Sequence, residues 1–116
     1  MEKAERFMSA GTRAFEAGEY ETAVSRAYYA AYHSVIVLFE ARIGGARSRW
    51  SHNFRPYFDR IPELEELRLP IADLYVARTK ADYEETTFAE SAVRVLLQSA
   101  RQALVRAGEV VRNGQI

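Results

Sequence analysis

Residues 25–45 read SRAYYAAYHSVIVLFEARIGG. No proline interrupts them, and the apolar residues fall on nearly every side of a 3.6-residue period instead of alternating, so the stretch is a helix and not a strand. Followed upstream to Tyr20, the positions Tyr20, Ala23, Ala27, Ala30, Ser34, Val37 and Ala41 keep a 3,4 spacing, while Tyr28, Tyr32, Val35, Leu38 and Phe39 cover most of the remaining circumference. A helix apolar almost all round belongs at the centre of a bundle. It is expected from about Tyr20 to Ile43 and ends at Gly44 and Gly45. Arg26 and His33 are the exceptions, since both sit on a stripe shared with Tyr29, Ala30 and Val37.

Working outward, a first helix is expected over about 2–16, with Ala4, Phe7, Met8, Gly11, Ala14 and Phe15 on one stripe and a turn at Gly18. Residues 46–69 read as an irregular segment with short helical pieces at about 54–60 and 62–67. Pro70 suits the first turn of a third long helix that runs to about Glu85, because proline there forfeits no needed hydrogen bond. Thr87 and Glu90 read as a capping box for a fourth, whose Val93, Leu97, Ala100, Leu104, Ala107 and Val111 are spaced 4,3,4,3,4 up to Gly114. Three prolines and no alternating β-branched runs leave an all-α chain, an antiparallel four-helix bundle with an irregular loop and short helices between helices two and three. Without repeat or linker, residues 1–116 form one expected domain.

Composition narrows the function classes. A chain of 116 residues buries roughly two-thirds of its unfolded surface without staples. The absence of cysteine excludes disulfides and thiolate zinc sites and fits a reducing, cytoplasmic setting. With two histidines, neither a metal nor another cofactor is expected. Sixteen basic residues cancel sixteen acidic ones, so no global field recruits nucleic acid or anionic membrane, and any such partner is held by a local patch. No window approaches the ~20 apolar residues of a membrane span.

The polar residues on inward stripes are the functional clue. On the third helix the stripe of Ile71, Leu74 and Tyr75 continues through Arg78 to Ala81 and Asp82, so Arg78 stands where an apolar side chain is expected and Asp82 can pair with it. A charge taken from water needs pairing, so the stripes of helices two and three point to a shared network or cleft, the plainer alternative being an ion pair on a helix flank. A second cluster, RIGGARSRWSHNFRPYFDR at 42–60, sets Arg42, Arg47, Arg49, Arg55 and Arg60 against Asp59 alone, interleaved with Trp50, Phe54, Tyr57 and Phe58. Arginine for phosphate and rings for base stacking are what single-stranded nucleic acid or nucleotide sites use. In the plainer alternative the rings tuck this loop onto the bundle and its arginines answer Glu63, Glu65, Glu66, Glu84 and Glu85.

These residues together resemble a family. YETAVSRAYYAAYHSVIVLFE, then WSH, then LYVARTKADYEE is similar to the short single-domain HEPN proteins of bacteria and archaea, which read A-Y-Y-A-x-x-H, a loop histidine, then R-x-x-A-D-Y. The matching residues are Ala27, Tyr28, Tyr29, Ala30 and His33, then His52, then Arg78, Ala81, Asp82 and Tyr83, and the likeness extends from about Ala14 to Leu104. The resemblance implies a helical bundle that forms a homodimer, often beside a minimal nucleotidyltransferase as a toxin and antitoxin. It also implies a metal-independent ribonuclease site of arginine, four to six residues, then histidine, set across the dimer cleft. Arginine there stabilises charge on the cleaved phosphate and histidine moves the proton of the 2′-hydroxyl.

The chain departs from that pattern at Tyr83, which stands where the motif histidine belongs. Its reference pKa near ~10 makes a phenol a poor base. Arg47 and His52 also satisfy the spacing, but in the loop instead of on the later helix. The candidate catalytic set is therefore Arg78, Asp82, Tyr83 and His33, with Arg26, Arg47, Arg49, Trp50, His52 and Arg55 as candidate nucleotide or RNA contacts. The resemblance also makes Tyr83 the positional candidate for modification by a partner nucleotidyltransferase. The alternatives are a non-catalytic nucleotide-binding module and a helical assembly subunit; Tyr28, Tyr29 and Tyr32 offer ring surface that one neighbouring helix cannot cover.

Overall fold

The computed structural model describes residues 1–42, 55–85 and 87–113. Four main helices carry it: α1 (Glu2–Glu16), α2 (Tyr20–Arg42), α4 (Arg68–Tyr83) and α5 (Glu90–Asn113). A short α3 (Arg55–Arg60) and a 3-10 helix (Pro62–Leu67) lie between α2 and α4. The bundle expected from the sequence is the one observed.

The turn between α1 and α2 shows why the sequence breaks there. Gly18 adopts a positive φ of 77°, which an L side chain resists. Around it the Glu19 amide donates to the Ala14 carbonyl at 2.8 Å and the Gly18 amide to the Phe15 carbonyl at 3.0 Å, the paired bonds of a Schellman cap. So short a turn folds α1 back along α2 as a helical hairpin. At Gly11 the two helices come close: a Cβ there would meet the Ala23 carbonyl oxygen at 3.4 Å and the Leu97 side chain of α5 at 3.3 Å.

α2 is the central helix, packed against α1, α4 and α5. Its buried residues include Ala23, Val24, Ala27, Tyr28, Ala30, Ala31, Val35, Ile36 and Leu38, drawn from every side, as the sequence required. Its last turn is the exception, with Ala41 exposed. α5 shows a one-sided stripe of Val93, Leu97, Ala100, Ala103, Leu104, Ala107 and Val110.

Two local expectations shift. α5 begins at Glu90, with the Val93 amide donating to the Ala89 carbonyl, so the helix starts later than a cap at Thr87 would set it. α4 begins at Arg68, directly after the 3-10 helix, which leaves Pro70 inside the first turn where its missing N–H costs nothing. On α4 the buried residues are Ile71, Leu74, Ala77 and Arg78; Tyr75 is 39% exposed at the rim of the stripe.

The 3-10 helix and α3 are held by both packing and charge. Phe58, Ile61, Leu64 and Leu67 are buried. Arg42 pairs with Glu63, Arg68 with Glu65 at 2.9 Å, and Arg106 of α5 with Glu66 at 2.7 Å. Among the described residues no helix is long and apolar enough to cross a membrane.

Candidate functional site

Arg78 is 8% exposed, in a chain where burial of a guanidinium demands an explanation. α2 supplies it. The guanidinium carbon lies 5.0 Å from the Tyr28 ring centre, 5.9 Å from that of Tyr29 and 5.3 Å from that of Tyr75, one turn back on α4. Three electron-rich faces around one planar cation form a cage whose quadrupoles replace part of the lost hydration. Tyr28 and Tyr75 meet edge to face at 5.9 Å, which closes the cage between the two helices.

One charge answers the cation directly. Arg78 Nη1 donates to Asp82 Oδ2 at 3.3 Å, across the turn that the four-residue spacing predicts. Burial works against the arginine's charge, but the Asp82 hydrogen bond, the Tyr29 and Tyr28 phenols and the Asp82 charge hold its pKa above the ordinary value. Burial likewise drives the Tyr28 phenol well above its usual range, with Arg78 pulling the other way. Both shifts favour a cationic Arg78 beside a neutral Tyr28 phenol. Among the described residues Arg78 Nε, though buried, has no hydrogen-bond partner, an uncompensated donor inside the cage.

His33, 9% exposed, lies on the same aromatic seam. Its ring stacks on Phe7 of α1 at 5.2 Å with the planes 6° apart, meets Tyr32 edge-on at 5.2 Å, and is 6.4 Å from Tyr29. Arg26 reaches the other end of the seam, its guanidinium 6.0 Å from the Phe7 ring centre. Tyr29 is thus the ring common to Arg78 and His33, and Phe7 the ring common to His33 and Arg26.

Not every sequence candidate joins this group. Tyr83, the last residue of α4, is 77% exposed and stands outside the cage. Arg47, Arg49, Trp50 and His52 lie outside the described residues, as does the side chain of Arg55 at the start of α3. Of the basic segment, Arg42 is engaged with Glu63, and Phe58 is buried beneath Arg68 at 5.1 Å. That portion follows the plainer reading in which rings and ion pairs fasten the segment to the bundle, except that Arg68 and Arg106 answer Glu65 and Glu66.

Sequence reasoning missed Phe7 and the caging role of Tyr28, Tyr29 and Tyr75. Tyr75 had a signal, since it precedes Arg78 by three residues on one helix. Phe7 had none, because its position on the first stripe reads equally well as core.

Chemically, the cage holds a flat cation with one N–H committed to a carboxylate and another unanswered. Asp82, whose side chain is 32% exposed, and the half-open Tyr75 form the side nearest solvent. An anion entering there would find a guanidinium already oriented. No curated protein matches the chain closely enough to add a relative. The family model described as HEPN domain matches residues 1–112, spanning α1 through nearly all of α5 and including every member of the Arg26–His33–Arg78 seam; the chain belongs to the HEPN domain family.

Proposed function

We propose that this HEPN-domain protein binds RNA or a nucleotide through Arg78, as the cytoplasmic, homodimeric partner of a minimal nucleotidyltransferase in a toxin–antitoxin-like pair. The observation that carries the proposal is the buried Arg78 guanidinium with Nε unpartnered, a donor that a phosphate oxygen would satisfy. Asp82 is its resting counterion, and Arg26 and His33 extend the same seam toward α1.

Binding is favoured over cleavage. Tyr83 occupies the position of the motif histidine, and His33 is buried with its ring flat against Phe7, which leaves it badly placed to take a proton from a 2′-hydroxyl. The Tyr83 phenol, exposed in the single chain, is instead open to modification by the partner enzyme before a second copy covers it. Arg47, Arg49, Trp50, His52 and Arg55 supply the remaining phosphate and base contacts in this reading, on sequence grounds.

A second copy is the proposed cover for α4. Leu69, Val76 and Tyr83 are exposed by 74, 52 and 77% and recur every seven residues, with Ala72 and Thr79 at the intermediate positions of a heptad seam. Arg78 lies on the opposite, buried face of α4 with Ile71, Leu74 and Ala77, so the seam would pair two copies without covering the cage.

The test is fluorescence anisotropy with a labelled single-stranded RNA at low salt, with the RNA recovered and run on a gel. Saturable binding that falls about tenfold in Arg78→Lys, with the RNA intact, is expected, because an ammonium keeps the charge but loses the planar fork. Equal binding by wild type and Arg78→Lys, or no binding at all, overturns the proposal.

A further inference from the structure

A groove of about 550 Å³ runs between α1 and α5, neither of which contributes a ring to the Arg78 cage; α1 adds only Phe7 to the adjoining seam. Its base is aliphatic: Met8 of α1 and Leu97 of α5, with Val105, 48% exposed, further along α5. Its α5 wall carries Arg94, Gln98 and Arg101, which with Val105 follow a 4,3,4 spacing and so form one stripe along the helix. Among the described residues two arginines and no acidic residue line the groove. Arg94 is partly spoken for, since it donates to Glu90 at 2.7 Å and lies over the Phe15 ring; Arg101 is exposed.

An aliphatic floor bordered by cations takes a chain that is apolar on one side and acidic beside it. We infer that the α1/α5 groove is a docking site for an acidic amphipathic helix of a partner protein, separate from the Arg78 site. Aliphatic side chains of that helix would cover Leu97 and Val105, while carboxylates at its flanks meet Arg94 and Arg101 and the Gln98 amide serves either wall. Nucleic acid fits less well, because no aromatic ring lines the groove to stack a base. The same occupant would cover Val105, which lies beyond Arg101 on the stripe.

The inference does not depend on RNA binding at Arg78, and its test keeps the two apart. The probe is a short synthetic helix with leucines on one stripe and glutamates on the flanks; the control carries lysine in place of every glutamate. Both are titrated into the full-length protein, with affinity read by anisotropy and location by amide NMR shifts. The acidic helix is expected to bind about tenfold more tightly than the basic one and to move residues 94–105. Arg101→Glu is expected to abolish that preference while leaving the melting temperature and RNA affinity unchanged, because rim charges govern partner choice. Equal affinity for the two helices, shifts confined to other surfaces, an unaffected Arg101→Glu, or a uridine oligonucleotide that moves residues 94–105 instead would each overturn it.

Discussion

Replacing Asp82 with asparagine isolates the electrostatic part of the Arg78 site. The pair spans 3.3 Å, with Arg78 buried and Asp82 about one-third exposed. At an effective dielectric near 20 the gross attraction is roughly 5 kcal/mol. Solvent reaching the carboxylate and the entropy of holding both side chains reduce this to about 1 kcal/mol net, between an exposed helical pair and a fully buried one. An incoming phosphate must displace that carboxylate, so Asp82→Asn should raise RNA affinity by about fivefold, the factor equivalent to ~1 kcal/mol. Stability in urea should fall by a similar ~1 kcal/mol. Asp73→Asn, an exposed acid on the same helix, is the control for general charge, and should change affinity by less than about twofold. Anisotropy titrations at one fixed salt concentration compare the three proteins, since salt alone moves such affinities strongly. Unchanged or weaker binding by Asp82→Asn, or an equal rise in both variants, would refute the idea that Asp82 and the ligand compete for Arg78.

Three further outcomes follow from the same structure. Arg78→Ala should cost about 2–4 kcal/mol in urea unfolding, because it empties the space between three tyrosines and removes their cation, whereas Arg78→Met, which refills it with an apolar chain, should stay within about 1 kcal/mol of wild type. Gly18→Ala should lower stability by about 1 kcal/mol, measured by the same method, since the positive φ of the α1–α2 turn disfavours any Cβ. Hydrogen bonds from Arg42 and Arg68 hold the Glu63 and Glu65 carboxyls below their ordinary value of 4.5, so the stability they contribute is present above that pH and lost as pH falls through the lower folded values; amide exchange of the N–H groups of residues 63–67 should therefore accelerate below about pH 4.5 ahead of α2.

How much of this was legible beforehand varies by level. The central place of α2 followed from its apolar circumference, and the break at Gly18 from a residue that alone tolerates the turn's φ. The burial of Arg78 and its pairing with Asp82 followed from spacing on one helix, a constraint that sequence carries directly. The cage did not, because which tyrosines enclose a guanidinium depends on the rotation of α2 against α4 and on ring rotamers, neither of which a single stripe encodes. Tyr75 illustrates the gap: read as core, it sits at the rim, and Ala77 takes the inward position. The start of α5 slipped because Thr-x-x-Glu is a local preference that the surrounding packing overrides. The basic loop beyond Arg42, with Arg47, Arg49, Trp50 and His52, rests on its composition alone.

The Arg78 Nε–H offers the most direct measurement, because among the described residues it is the donor that the cage encloses without an acceptor. Its side-chain ¹⁵N–¹H resonance, assigned by its loss in Arg78→Lys, should move downfield in a saturable way as pyrophosphate or single-stranded RNA is added, and should do so at lower concentration in Asp82→Asn. A resonance that stays fixed while the same ligand saturates elsewhere on the protein would contradict the assignment of Arg78 as the anion-binding centre.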